Sequence, residues 1–134
     1  MLLSTPTPYM TELHLPQIEE TGFALKVCNA DPPLVRFSGN GDSEAIAPLE
    51  RFLKQLHGEL LAKHCHAVDV DLNELYFMNS SCLKNFVAWI YKVDVEGRAY
   101  EIRFLANPRL HWQHRSLATL KRLAPKVVSI ADAE

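Results

Sequence analysis

The chain has 134 residues, 48% of them hydrophobic, and 14 basic against 16 acidic side chains give a formal net charge of −2. That length suits one domain and that apolar content supports a core, which sets general disorder aside. The slightly acidic balance argues against a dedicated nucleic-acid binder, and no run of 18 apolar residues offers a membrane span.

Residues 1–21 are expected to be a flexible N-terminal segment, because Pro6, Pro8 and Pro16 break regular structure. A short stretch around Leu13 to Ile18 is expected to lie on the domain, which spans 22–134. The start Met1-Leu2-Leu3-Ser4-Thr5-Pro6 lacks a basic residue ahead of a long apolar block, so no secretory signal is expected. Phe23 to Cys28 follows Gly22 as a strand. Asn29-Ala30-Asp31-Pro32-Pro33 is a turn by composition, and Leu34 to Gly39 returns as the second strand of an antiparallel hairpin. After Asn40-Gly41-Asp42, either Asp42 or Ser43 is expected to cap a helix starting near Ala47 and ending near Lys63 to His66. Its apolar stripe is Leu49, Phe52, Leu53, Leu56 and Leu60.

Val68-Asp69-Val70-Asp71-Leu72 alternates with a period of 2 and predicts the central strand. Asp69 and Asp71 share a face that burial would penalise, so they are placed at a solvated surface or strand end. A short connection follows, then the polar corner Asn79-Ser80-Ser81. Next comes a helix whose apolar face is Leu83, Phe86, Val87 and Ile90. Tyr100 to Leu105 predicts a further strand, Leu110 to Leu123 a third helix facing in through Leu110, Leu117, Leu120 and Trp112, and Val127 to Ile130 a last strand. The order ββαβαβαβ implies an α/β domain: a mixed four- to five-stranded sheet with an antiparallel hairpin edge, a parallel remainder and three main helices.

The run Leu72-Asn73-Glu74-Leu75-Tyr76-Phe77-Met78-Asn79-Ser80-Ser81-Cys82-Leu83 resembles the core of STAS domains, and most of all the bacterial anti-sigma factor antagonists. The resemblance extends over residues 22 to 131, with Phe37-Ser38-Gly39 before the first long helix, although only the 75–83 stretch is specific. It implies a non-catalytic signalling protein that regulates transcription by binding an anti-sigma factor or serine kinase through Asn79, Ser80, Ser81, Cys82 and Leu83, and the expected lack of a secretory signal or membrane span makes the cytoplasm its expected place. It further implies phosphorylation on Ser81, with Ser80 beside it, reversed by a phosphatase. The pattern departs from the family at two points: Asn79 stands where Asp is usual, and Cys82 where Gly is usual. An unswitched STAS-like scaffold or homodimer, with Trp89 and Tyr91 as interface aromatics, is the alternative.

On the residues alone, Asn79 or a serine caps the helix, and Ser80 and Ser81 are caps or phosphoacceptors. Cys82 is either a small packed hydrophobe or a thiol activated by a helix N-terminus, which would allow a small enzyme with a histidine base. His64-Cys65-His66 and the pair His111 and His114 invite a metal, but the first set diverges and neither has a second ligand pair, so they are taken as solvated. Cys28, Cys65 and Cys82 are odd in number and lack CxxC spacing, which fits free thiols in a reducing compartment. Arg109, His111, His114, Arg115, Lys121 and Arg122 concentrate positive charge, either as a solvated helix face or as a patch for an acidic protein. No GxSxG, HExxH or P-loop motif occurs, and no cofactor is expected.

Overall fold

A computed structural model describes Leu15, Ile18–Glu20 and residues 22–133. Six strands form one sheet in sequential order: β1 (Ile18–Glu20), β2 (Phe23–Cys28), β3 (Leu34–Gly41), β4 (Ala67–Met78), β5 (Glu101–Ala106) and β6 (Val128–Asp132). The first three pair antiparallel and β3 to β6 pair parallel. Three helices, α1 (Ile46–Ala62), α2 (Ser80–Val95) and α3 (His111–Leu123), supply the crossovers. A 3₁₀ turn over Ser43–Ala45 leads into α1, and neither Asp42 nor Ser43 forms the expected side-chain cap on it.

The α/β class, the antiparallel hairpin and the parallel remainder agree with the sequence reading, but the sheet has six strands, not four to five. The added strand is β1, whose three residues are too few to show a period. It lies inside the segment expected to be irregular, and Leu15 and Ile18 pack against the core. The rest of the expectation for residues 1–21 lies outside the described residues.

One face of the sheet is apolar because alternate residues register across it. Leu25 lies opposite Phe37, Val35 opposite Val70, Val70 opposite Phe104 and Ile102 opposite Val128, all of them buried. The helices cover this face with Leu49, Phe52, Leu53, Leu56 and Leu60 of α1, Cys82, Phe86, Trp89, Ile90 and Val93 of α2, and Leu117 and Leu120 of α3. The α2 stripe is rotated from the expected one: Val87 is exposed, and Trp89 and Val93 face in. The other sheet face is polar. There Asp71 pairs with Arg36 at 3.2 Å and Asp69 with Arg103 at 2.7 Å, so the two strand aspartates lie on the surface and are ion-paired across the sheet.

The main departure is the length of β4. The residues after Leu72, expected to form a connection, continue the strand to Met78. Two bulges hide this from a period-2 reading. Between Asp71 and Glu74 the strand takes three steps while β3 takes two from Arg36 to Ser38, and between Leu75 and Phe77 it takes two while β3 takes one. Inward residues therefore recur as Leu72, Leu75 and Met78, three apart. The Asp71 carboxylate accepts from the Asn73 backbone N–H at 2.9 Å and so steadies the first bulge.

Candidate functional site

The polar corner stands where β4 hands over to α2. Asn79, with extended backbone (φ −75°, ψ 167°), is the N-cap, and its Oδ1 accepts from the Cys82 N–H at 2.8 Å. The cap is thus asparagine and not a serine. Ser80 and Ser81 occupy the first two helical positions, with both residues exposed. Tyr76 and Phe77, just before them in the chain, are 56% and 46% exposed.

Three contacts tie this corner to the end of β3 and the start of α1. The Asn79 N–H donates to the Gly41 carbonyl at 2.8 Å, the Cys82 Sγ to the Asp42 carbonyl at 3.5 Å, and the Asn85 Nδ2 to the Ile46 carbonyl at 3.1 Å. Cys82 has no exposed surface, because its helix position points at the core. Burial, and after it the Asp42 carboxylate, pushes its thiol above the usual cysteine range. Of the five residues expected to meet a partner, Cys82 is therefore corrected to a packing residue. Asn79, Ser80, Ser81 and the half-buried Leu83 remain at the surface. Activation of Cys82 by the helix N-terminus is overridden by the same burial.

On its other edge β4 outruns its neighbour, since pairing with β5 ends at Asp71 opposite Leu105. Side chains from the start of α3 and from the loop before it take over the open carbonyls. Gln113 Nε2 donates to Leu72 at 2.7 Å and to Leu75 at 3.0 Å, Asn107 Nδ2 to Asn73 at 2.8 Å, and Trp112 Nε1 to Tyr76 at 2.8 Å. The Gln113 Oε1 in turn accepts from the Asn107 N–H at 2.8 Å. Gln113 is fully buried, and these bonds are the reason it can be. Sequence reasoning missed it, although its place four residues before Leu117 and seven before Leu120 puts it on the apolar stripe.

A second buried network was also missed. The Trp89 N–H can only donate, so the Tyr100 hydroxyl accepts from it at 2.8 Å and donates to His57 Nδ1 at 2.6 Å. With its ring proton on Nε2, His57 then donates to Glu96 Oε1 at 3.0 Å. Here Trp89, expected at an interface, is instead interior and joins α1, α2 and the residue just before β5, whereas Tyr91 is 67% exposed. The His57 bond, with Lys92 nearby, holds the Glu96 carboxyl below its usual range against a smaller desolvation effect.

The basic residues Arg109, His111, His114, Arg115, Lys121 and Arg122 are all exposed around α3. Cys65 is buried between exposed His64 and His66. Among the described residues, no group of three His, Cys, Asp or Glu side chains is placed to hold a metal ion, and no helix is long and apolar enough to cross a membrane.

No family model matches the chain, and no curated protein matches it significantly in sequence. Solved structures do match. The anti-sigma factor antagonist SpoIIAA in its unphosphorylated form is similar with a TM-score of 0.53 and 16% identity, over 84% of this chain and 89% of that one. The NMR structure of the protein TM1081 is similar with a TM-score of 0.54 and 20% identity, over 91% of this chain and 88% of that one. The fold is therefore STAS-like.

Proposed function

We propose that the chain is a non-catalytic regulatory module. It binds an anti-sigma factor or a related serine kinase through the surface of Asn79, Ser80, Ser81 and Leu83 and the adjoining face of α2, and phosphorylation of Ser81 releases that partner. One observation carries this reading: Ser81 is exposed in the first turn of a capped helix, with two exposed aromatic residues leading up to it. The SpoIIAA-like fold supports it. A phosphate adds about −1.5 to −2 charges. At a helix N-terminus, backbone N–H groups and the dipole favour an anion by roughly 0.3–1 kcal/mol, so the fold tolerates it. Against a docked partner the same charge must be desolvated, which disfavours the complex. A phosphatase would restore binding.

The test is incubation with ATP and a serine kinase of the kind that acts on anti-sigma factor antagonists, followed by peptide mass spectrometry. One phosphate on Ser81, lost in Ser81→Ala, is expected. Absence of phosphate from both serines, together with no kinase binding, rejects the proposal.

A second reading, an unswitched scaffold or homodimer, draws on the uncharged Asn79 cap and on the exposed Tyr91. Size-exclusion chromatography of Ser81→Asp separates the two: a released partner supports the switch, and an unchanged assembly supports the scaffold.

A further inference from the structure

Helices α1 and α2 leave a cleft of about 300 Å³ between them, lined by Glu50, Leu53, Lys54 and His57 on one side and Asn85, Ala88, Trp89 and Lys92 on the other. We propose that this cleft binds a small, flat, apolar molecule carrying one anionic group. The reading is independent of any modification at Ser81.

Four features of the cleft select that chemistry. Its volume lies at the lower end of ligand pockets, which run from about 300 to 1,000 Å³, and admits one or two fused rings. The polar groups deepest in its wall are already engaged: both His57 ring nitrogens and the Trp89 N–H have partners within the protein, and the Asn85 amide nitrogen donates to the Ile46 carbonyl. What His57, Trp89, Leu53 and Ala88 offer a visitor is carbon surface, so a sugar or a polyol would lose water bonds there without replacement. At the rim, each helix contributes an ammonium group, Lys54 and Lys92. Their i,i+4 partners Glu50 and Glu96 lie at 3.5 and 3.6 Å in exposed pairs that stabilise little, so either lysine can turn to a ligand anion. Glu50, the carboxylate among the lining residues, disfavours a second negative charge. Finally, the chain Trp89–Tyr100–His57–Glu96 locks the two helices together, so the cleft exists before a ligand arrives.

The experiment titrates the full chain with 8-anilinonaphthalene-1-sulfonate and, in parallel, with N-phenyl-1-naphthylamine, which has a similar aromatic body and no charge. Trp112→Phe leaves Trp89 as the sole tryptophan, so quenching reports binding to the domain and its loss in the cleft-filling variant assigns that binding to the cleft. Saturable one-site binding of the sulfonate with quenching of Trp89 is expected. Ala88→Leu, a substitution at an exposed helix position that fills the cleft, weakens both probes by about tenfold or more. The double charge reversal Lys54→Glu, Lys92→Glu weakens the sulfonate by about tenfold and leaves the neutral probe unchanged. The proposal is overturned by non-saturable binding, or by Ala88→Leu having no effect in a chain with native circular dichroism. Equal effects of charge reversal on both probes also overturn it. The charge-reversal pair alters exposed side chains only, so it decides the matter even where Ala88→Leu perturbs packing.

Discussion

Cys82 shows burial prevailing over position. A helix N-terminus favours a thiolate, but a side chain with no exposed surface, held near the Asp42 carboxylate, keeps its proton. At neutral pH iodoacetamide should therefore label half-buried Cys28 first and Cys82 only after denaturation, read by peptide mass spectrometry. Fast labelling of native Cys82 would revive a thiol-based enzyme. Gln113 makes the opposite case, a polar residue the interior requires. Gln113→Leu strands the Leu72 and Leu75 carbonyls and the Asn107 N–H, and should lower stability by about 3 kcal/mol or more in urea unfolding. The serine corner was legible because small polar residues before an apolar helix have one local meaning. His57 and Gln113 were not, since a polar side chain on an amphipathic helix reads as solvated until its partners, distant in sequence, are seen. Only their place on the apolar stripe gave a signal, with His57 four residues after Leu53 and three before Leu60.

Among the elements, the helices were the most legible. The buried apolar residues of α1 were all named, since one uninterrupted 3.6-period determines them. For α2 the stripe was placed too far round, because Val87 and Trp89 are both apolar and periodicity alone does not rank them. The second half of β4 was lost because each bulge shifts the alternation, and steps of three imitate neither a strand nor a full helix face. The cap on α2 yields a direct prediction. Asn79→Ala removes the acceptor for the Cys82 N–H and should destabilise by about 1 kcal/mol in urea unfolding. Asn79→Asp keeps the acceptor and adds a charge that suits the helix dipole, so its stability should match or exceed that of the parent.

The whole molecule responds to pH through the chain that links α1, α2 and Tyr100 just before β5. Glu96 is held below its usual range in the folded state, so its contribution is present above the ordinary glutamate range and lost as pH falls through the lowered value. Tyr100 is shifted the other way, chiefly by burial, so its contribution is complete below the ordinary tyrosine range and lost as pH rises beyond it. Thermal unfolding across pH should show Glu96→Gln below the parent at neutral pH and converging with it in acid. A gap that persisted in acid would place the effect in packing instead of charge. The two bulges bear on the molecule as a whole in another way. A version of β4 lacking Asn73 and Tyr76 would still meet β3 in the same pairs on either side of each gap, and would keep Leu72, Leu75 and Met78 inward. The β3–β4 pairing is thus indifferent to these two residues; what they hold is the other edge, where the Asn73 and Tyr76 carbonyls accept from Asn107 and Trp112, and the kink that sets the direction in which the serines are aimed.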